Sequence, residues 1–464
     1  MKRLGKPVAI IIALVILIFS VLSVFGYSYY AGDKKVTVFN GFGSLDWGID
    51  ASGGTKIAIT PATADELAAV ADTLETRAAL YGLTEYQLYI DNVNKDVIFV
   101  LPVSINSDYT SGEVVSYITS YGQFALRAGD KYTSVFVDST GGAVFSVPKD
   151  ETAENCLLTS RYVTGSSTYT YNDYDYIEVK FNEEGASILS DITNPDTGAF
   201  YNQKVSIWLD DVMIANPDVT ESFEGGEFSF SNEHMTADKA KLISAVISSG
   251  TMPCEITVSG YGDIPSALGK GVTELVFWAG VVALLFIAFT LIYKFRVAGV
   301  VSVLMLLMQF ASILAILTGF VGGGHTFMMT VPGAAAFALS VMLTVFSCYV
   351  ISAKTKENLT LGTDVDSAIA KGISSAKTLI FDMSFVVAVV SLVGWFVFGT
   401  SNFAISLFGN SAAGGICSFC KVMFAGSVLN FITGYVLPQF VLRSLLSFKA
   451  LSKASMFGGA DNEN

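Results

Sequence analysis

The sequence predicts a polytopic α-helical membrane protein with six transmembrane helices and a large extracytoplasmic α+β domain between the first two. Hydrophobic residues make up 52% of the 464-residue chain and charged residues only 15%, which is too apolar for a soluble globular protein. The acidic residues are also unevenly distributed along the chain. Residues 31–271 hold 34 Asp and Glu against 14 Lys and Arg, whereas the long apolar runs lie before and after them. This distribution excludes a soluble enzyme.

The net charge of −14 also limits the partners of the chain. Nucleic-acid binding needs clustered Lys and Arg to neutralise phosphates. The acidic central segment offers the opposite charge, so a nucleic-acid partner is not expected.

The first apolar run extends from Pro7 to Tyr30 behind the basic start Met1-Lys2-Arg3. At about 1.5 Å per helical residue it is long enough to cross a hydrocarbon core. The alternative, a cleaved signal peptide, would have a shorter apolar region and a small-residue cleavage site. This run ends instead in an aromatic belt, Tyr27-Ser28-Tyr29-Tyr30. We therefore expect residues 1–30 to be a cytoplasmic N-terminus and an uncleaved transmembrane helix.

Five more apolar runs, at about 272–293, 298–320, 327–350, 379–399 and 416–442, predict a five-helix transmembrane bundle over 272–442. The connections 322–325 and 400–415 carry no Asp, Glu, Lys or Arg. In contrast, the connections that follow the second and the fourth span carry several Lys and Arg residues, as does the tail 443–464. By the positive-inside rule the basic side is cytoplasmic. Both termini are then cytoplasmic, residues 31–271 are extracytoplasmic, and the chain is a multi-pass plasma-membrane protein. The basic residues concerned are Lys294, Arg296, Lys354, Lys356, Lys371, Lys377, Arg443, Lys449 and Lys453.

Hydrophobic spacing in the extracytoplasmic segment predicts an α+β domain. Strands are expected at 56–59, 86–90, 97–101 and 123–127, and helices at 63–80 and near 112–119. After residue 127 the composition becomes rich in Tyr, Ser, Thr and Gly, with strands at 177–181 and 204–209 and a helix at 183–192. A helix at 236–249 with Thr236 as its N-cap, and a strand at 254–258, then return to the first pattern. This interruption indicates an inserted second lobe.

A set of short motifs runs in one order from residue 48 to the last apolar run. Gly48-Ile49-Asp50-Ala51-Ser52-Gly53-Gly54 opens the set, and Pro332-Gly333 begins a motif in the fourth span. The others lie at 77–82, 100–102, 122–127, 209–217, 224–226, 249–253, 295–299 and 372–384. Together these motifs resemble those of the SecD subunit family of the bacterial protein-export machinery, which belongs to the resistance-nodulation-division type of transporter. The copy is divergent.

The resemblance implies a ferredoxin-like base over 31–127 and 236–271 and a head insert over 128–235. It also implies a function: an auxiliary subunit of the Sec translocase that assists proton-motive-force-dependent export of preproteins. The expected partners are a SecF-like subunit, the Sec channel, emerging preprotein chains and membrane lipid. No cofactor is expected, because the proton gradient would supply the energy, and no enzymatic activity or metal site is expected.

Proton-driven work needs a titratable group in the membrane, and Asp382 is the candidate. A carboxylate inside a span costs roughly 3 kcal/mol on insertion scales, so one that persists there is a candidate proton site. The alternative is that Asp382, close to the cytoplasmic end of its apolar run, reaches headgroup water. In the fourth span Phe346 stands where the family has its relay acid. Either a partner subunit supplies the relay, or Asp382 does, or this copy does not conduct protons.

Other side chains have both a structural and a functional interpretation. Glycines and Asp50 in the first motif predict a tight turn before a strand. Two interpretations are open for the polar residues Gln309, Thr344 and Asn430. Either they line a water path, or they form hydrogen bonds between packed helices, and the second is favoured. Five tyrosines of the insert also have two interpretations, since they either bind unfolded polypeptide or pack in a sheet. They are Tyr162, Tyr169, Tyr171, Tyr174 and Tyr176. Cys156 and Cys254 are expected to be free thiols, and Cys417 and Cys420 to be packing residues.

Two other function classes remain open from the sequence. A stand-alone proton-driven exporter of lipid or small molecules would need intramembrane acids in its own chain, which the replacement by Phe346 argues against. A non-conducting protein that binds or senses the cell envelope would not depend on Asp382.

Overall fold

A computed structural model describes residues 6–31, 34–83, 85–102, 111–129, 134–137, 143–146, 156–172, 174–232, 235–267, 269, 271–320, 327–399, 413–448 and 453–457. The helices are α1 (Lys6–Phe25), α2 (Ile49–Ser52), α3 (Leu67–Tyr81), α4 (Ser111–Ile118), α5 (Glu183–Thr193), α6 (Ala237–Ser249), α7 (Val272–Phe295), α8 (Val297–Thr318), α9 (Val331–Thr360), α10 (Val365–Gly399), α11 (Ala413–Asn430) and α12 (Leu437–Leu445), with a π-helix, Phe431–Val436, between the last two.

The strands are β1 (Tyr27–Ala31), β2 (Lys34–Phe39), β3 (Asp46–Trp47), β4 (Gly54–Pro61), β5 (Gln87–Asp91), β6 (Asp96–Pro102), β7 (Phe124–Ala128), β8 (Ser134–Val137), β9 (Ala143–Ser146), β10 (Cys156–Thr159), β11 (Val163–Tyr171), β12 (Tyr174–Phe181), β13 (Val205–Leu209), β14 (Val212–Ala215), β15 (Glu227–Phe230), β16 (Ile256–Ile264) and β17 (Met328–Met329). The chain forms two compact units. Met1–Gly53 with Pro265–Asn464 is the helical unit, and Gly54–Ile264 is the sheet unit.

In the described part of the helical unit, five helices are long and apolar enough to cross a membrane: α7, α8, α9, α10, and the continuous run formed by α11, the π-helix and α12. Each overlaps one of the five predicted runs, although the run 298–320 extends past the end of α8 and the run 327–350 begins before α9. The apolar part of α1, Ile10–Phe25, is shorter than these, so a sixth span stays a prediction.

The first apolar run ends earlier than predicted. Gly26 has a φ of +68°, and a side chain there would collide with the backbone of Gly41. The chain therefore leaves the helix at this glycine. The predicted aromatic belt forms strand β1, which pairs antiparallel with β2.

Helices α9 and α10 are longer than the apolar runs that predicted them. Only residues 361–364 separate them, so the basic residues predicted for this connection lie on the helices themselves. Lys354 and Lys356 lie on α9, and Lys371 and Lys377 lie on α10.

The first sheet of the sheet unit has the strand order β16-β4-β6-β5 and is antiparallel throughout. Its elements follow the chain order β4, α3, β5, β6, α6, β16, which is the β-α-β-β-α-β succession of a ferredoxin-like fold. The core lies between the sheet and the helices α3 and α4. The strands and helices predicted for this lobe are present, except that the strand predicted at 123–127 joins another sheet.

The second lobe contains a six-stranded sheet, β10-β7-β13-β14-β9-β8, and a three-stranded sheet, β11-β12-β15. Strand β7, which the sequence assigned to the base, pairs with β13 and β10 of this lobe. Residues 31–53, also assigned to the base, belong to the helical unit. The exact base and head boundaries remain predictions.

Helix α6 connects the two lobes through its side chains. Thr236 caps its first turn, as predicted, by accepting a hydrogen bond from the Lys239 backbone N–H at 3.2 Å. Leu242 packs into the core of the first lobe, whereas Ile243 and Val246 pack into the core of the second. Both lobes therefore share one helix.

Arg77 of α3 is fully buried and bonds to both chain segments that pass between the lobes. Its Nη1 donates to the carbonyl oxygens of Ile118 at 2.7 Å and Ser120 at 2.6 Å, in the segment between α4 and β7. Its Nη2 donates to the carbonyl of Gly250 at 2.9 Å and its Nε to the hydroxyl of Ser249 at 2.9 Å, where α6 ends. One side chain thus fixes both connections.

The charge of Arg77 is retained in this buried place. Burial lowers the pKa of Arg77 from 12.5 to about 10, and the negative charge of Asp210 acts in the opposite direction. The Asp210 carboxylate accepts hydrogen bonds from the backbone N–H groups of Gly122 at 3.1 Å and Gln123 at 2.7 Å. At neutral pH the guanidinium is therefore a permanent cation at the junction of the lobes.

We expect Arg77→Met to lower the free energy of unfolding of the sheet unit by at least about 3 kcal/mol, because several buried carbonyl oxygens lose their donors at once. Pulse proteolysis of the full chain in detergent, over increasing urea, measures this change. The control is Arg161→Met. Arg161 makes an exposed ion pair of 3.6 Å with Glu184 and lies over the ring of Tyr162 at 5.4 Å. Exposed contacts of this kind contribute little, so its loss should change stability by less than about 1 kcal/mol. Equal stability of the two variants would contradict the assigned role.

Candidate functional site

Asp50 lies in the helical unit, in the segment that precedes the sheet unit. The predicted turn is present: α2 is a single helical turn that ends at Gly53, with φ +83°. The Asp50 carboxylate, however, points to a distant part of the chain. Its Oδ2 accepts a hydrogen bond from the backbone N–H of Val331, the first residue of α9, at 2.6 Å. A carboxylate at a helix N-terminus is stabilised by the helix dipole.

The residues around this contact attach the segment before the sheet unit to the start of α9. Strand β3 pairs in parallel with β17, and the backbone N–H of Gly48 donates to the carbonyl of Met329 at 2.9 Å. The motif positions at residues 48–50 and 332–333, far apart in sequence, therefore meet at one place.

Pro332 and Gly333 suit the first turn of α9. Proline is favoured there because the missing N–H would have no intrahelical acceptor. The backbone N–H of Gly333 donates to Oγ1 of Thr330, the N-cap, at 3.1 Å. A side chain at Gly333 would collide with the hydroxyl of Ser418 on α11. These positions serve helix entry and close packing.

The interior of the bundle contains a network of neutral polar side chains centred on Asn430. The Asn430 Oδ1 accepts from the Thr344 hydroxyl at 2.8 Å, and its Nδ2 donates to Ser347 at 3.0 Å and Ser384 at 2.8 Å. All four residues are buried. The network therefore joins α9, α10 and α11.

A second set of bonds lies at the π-helix. Thr433 donates to Oε1 of Gln309 at 2.5 Å, and Nε2 of Gln309 donates to the carbonyl of Gly426 at 2.9 Å. The amide groups of Gln309 and Asn430 thus bond directly to other helices. This geometry favours helix packing over a water path. π-Helical turns are frequent at functional sites, and this one starts directly after Asn430.

Phe346 and Asp382 both lie on the outside of the bundle. The side chain of Phe346 is 41% exposed, whereas its neighbours Thr344 and Ser347 are buried. Asp382 is exposed on α10, two residues before the buried Ser384. Among the described residues of α7 to α12, no Asp, Glu, Lys or Arg side chain is buried. Phe346 and Asp382, the two positions considered above as relay sites, are therefore exposed at the surface of the chain.

Three of the five tyrosines in the predicted head are well exposed. Strands β11 and β12 form a hairpin in which Tyr171 faces Tyr174 and Tyr169 faces Tyr176. Tyr169, Tyr171 and Tyr174 are 43%, 62% and 56% exposed, and the rings of Tyr169 and Tyr176 stack at 5.3 Å. The stack of Tyr169 on Tyr176 is a cross-strand contact of the sheet, whereas the rings of Tyr171 and Tyr174 are mostly exposed. We call this segment the tyrosine hairpin.

The two histidines of the chain, His234 and His325, lie outside the described residues. Cys156 and Cys254 are free thiols, as expected, and Cys417 and Cys420 are free and buried at the start of α11.

Sequence reasoning did not identify Ser347, Ser384 and Thr433 as members of the buried polar network. One signal was present in the spacing. Thr344 and Ser347, like Asn430 and Thr433, are three residues apart and so share a helix face.

Comparison with known proteins identifies relatives across nearly the whole chain. Residues 147–254 match the family model of the SecDF P1 head subdomain. The protein translocase subunit SecD of Dictyoglomus turgidum is 24% identical over 420 residues, which cover 89% of this chain and 92% of that protein. The protein translocase subunit SecDF of Bacillus subtilis is 22% identical over 278 residues, or 57% of this chain and 35% of that protein.

A crystal structure of SecDF in a super-membrane-facing form shares the fold. The TM-score is 0.60 and the sequence identity 18%, and the match covers 95% of this chain and 58% of that one. The chain therefore spans somewhat more than half of the length of that solved structure.

We expect Asn430→Leu to destabilise the helical unit by about 1–3 kcal/mol, because it leaves buried hydroxyl groups without their partner. Thermal unfolding of the full chain in detergent measures the effect as a lower midpoint. The control is Asn358→Leu, whose side-chain bond to the carbonyl of Lys354 is exposed and can be replaced by water. An unchanged midpoint for Asn430→Leu would show that the network contributes no stability.

Proposed function

Because this chain is a SecD-type protein that has diverged far in sequence, we propose that it is an auxiliary subunit of the Sec translocase that assists preprotein export. Its relatives are named as translocase subunits, and five helices of this chain have the length and composition of membrane spans. Its task in this proposal is mechanical, the holding and moving of another chain. No enzymatic step is part of it.

The tyrosine hairpin is the observation that carries the proposal. It lies within residues 147–254, the part that matches the SecDF P1 head subdomain. An unfolded polypeptide offers apolar side chains and unpaired backbone groups at the same time. Tyrosine rings bury apolar area while their hydroxyl groups remain available for hydrogen bonds, and they do so with little loss of side-chain entropy. Exposed, stacked tyrosines therefore suit the binding of emerging chain without sequence preference.

Replacement of Tyr169, Tyr171 and Tyr174 by Ser should reduce binding of unfolded polypeptide several-fold. The measurement is site-specific photo-crosslinking from the hairpin to a stalled preprotein in native membranes, together with the rate of preprotein export. The control is Tyr261→Ser, which removes another exposed tyrosine, 62% exposed on β16. Undiminished crosslinking and export in the triple variant would refute the assignment.

We further propose that the proton-motive force drives this assistance and that the proton path is completed by a SecF-like partner. Phe346 and Asp382 face outward, and the bundle interior has no buried acid or base among its described residues. A relay that includes Asp382 is therefore placed at the surface of the chain, where another subunit can contribute the next titratable group. The Bacillus subtilis relative is a SecDF protein, which agrees with a SecF-like partner. We assign both termini and the basic connections to the cytoplasm on the positive-inside pattern.

Asp382→Asn should abolish the dependence of export on the proton-motive force while leaving the protein folded and the tyrosine hairpin able to crosslink preprotein. The measurement is the export rate in inverted vesicles with and without an uncoupler. Asp364→Asn, in the connection between α9 and α10, is the matched control and should retain full dependence on the gradient. An Asp382→Asn protein that responds to the uncoupler as before would exclude Asp382 from the path.

A further inference from the structure

The helical unit contains an apolar cavity of about 420 Å³ between α7, α8 and α9. The segment before the sheet unit closes one end of it with Phe42, Leu45 and Trp47, and Phe310 and Phe337 contribute rings from α8 and α9. The ring of Phe42 packs against that of Phe277 on α7 at 4.8 Å. The lining is almost entirely apolar. The indole N–H of Trp47 is the one side-chain donor among the lining residues, so the cavity offers little that would orient a polar ligand.

The chemistry of the lining restricts the occupant to hydrocarbon. Apolar cavities without polar partners do not hold water. The volume is in the size range of small-molecule sites. A single flexible hydrocarbon chain fits a cavity of this size.

The mouth of the cavity connects to the surface that faces lipid. Val276 on α7 and Met342 on α9 line the cavity and are also 45% and 50% exposed. The cavity is therefore continuous with the exposed apolar faces of two helices that have the length and composition of membrane spans. Hydrocarbon from the bilayer has direct access to it.

We propose that this cavity binds one acyl chain of a membrane lipid. The proposal is independent of export assistance and concerns a separate place in the molecule. The bound chain fills the space between α7 and α9 and contacts Phe42 and Trp47, which lie in the same segment as Asp50 and Gly48. It thereby supports the attachment of that segment to the start of α9.

Tryptophan fluorescence tests the site directly, because Trp47 lines the cavity. The chain has four tryptophans. Trp278 and Trp395, which are 64% and 37% exposed, are replaced by Phe, and the buried Trp208 of the sheet unit remains as a constant background. The full chain is reconstituted in phosphatidylcholine vesicles with oleoyl chains or with dibromostearoyl chains, whose bromine atoms quench tryptophan on contact.

The cavity is then filled by Gly280→Phe. Gly280 lines the cavity, and a side chain added there meets no atom within 4 Å. The control is Val282→Phe, which places a phenyl ring on the same helix at a position that is 64% exposed and outside the cavity. We expect quenching by the brominated lipid to fall at least twofold in Gly280→Phe and to stay unchanged in Val282→Phe.

A second pair of variants tests the same site in case the first pair misfolds. Ala338→Phe fills the cavity from α9, and Leu339→Phe is its exposed neighbour outside the cavity. Equal quenching within both pairs would overturn the proposal, since Trp47 would then sense only the surrounding lipid. Absence of quenching in the unfilled protein would also overturn it, because another protein surface would then cover the mouth.

Discussion

The buried guanidinium of Arg77 is the interaction on which the sheet unit depends. A buried cation normally needs an anion, yet Arg77 bonds to carbonyl and hydroxyl oxygens. Two of these carbonyls belong to Ile118 and Gly250, at the C-terminal ends of α4 and α6. Helix C-termini carry unpaired carbonyls and partial negative charge, so the two helix ends add to the negative charge of Asp210 in stabilising the guanidinium. The same contact explains Gly122, with φ +84°, where a side chain would collide with the guanidinium.

The helical unit differs from the sheet unit, because its buried polar groups are neutral and lie where no water is available as a partner. They are amides and hydroxyls that bond to one another, as Asn430, Ser347 and Ser384 do. Such groups hold helices together without the cost of a buried charge. The consequence for function is direct. The described interior of the bundle has no buried acid or base, so the proposed proton path depends on what lies against the surface of this chain.

Local features of both units were predictable from the sequence, because periodicity and capping depend on neighbouring residues. The helix capped by Thr236 and the turn at Gly53 are examples. Contacts between distant residues were not predictable. The bond from Asp50 to Val331 joins residues 281 positions apart, and no local pattern of Asp50 indicates that partner. The pairing of β7 with the second lobe was missed for the same reason, since a strand's own sequence does not state which sheet it joins.

Phe346 and Asp382 both face outward, but they differ in the free energy that this position costs. An outward Phe at the membrane costs nothing, because lipid solvates a phenyl ring as well as a protein core does. An outward carboxylate costs free energy unless water or a partner reaches it. Lys377 precedes Asp382 by five residues, about 7.5 Å along the helix axis, and its ammonium lies over the ring of Phe381 at 5.9 Å. Lys377 is the last basic residue before the apolar run predicted at 379–399. A lysine ammonium at the end of such a run extends to the headgroup region, here about one and a half helical turns from the carboxylate. Asp382 therefore lies on the outward face of α10, next to the basic end of its apolar run, where a group of the proposed partner subunit can approach it.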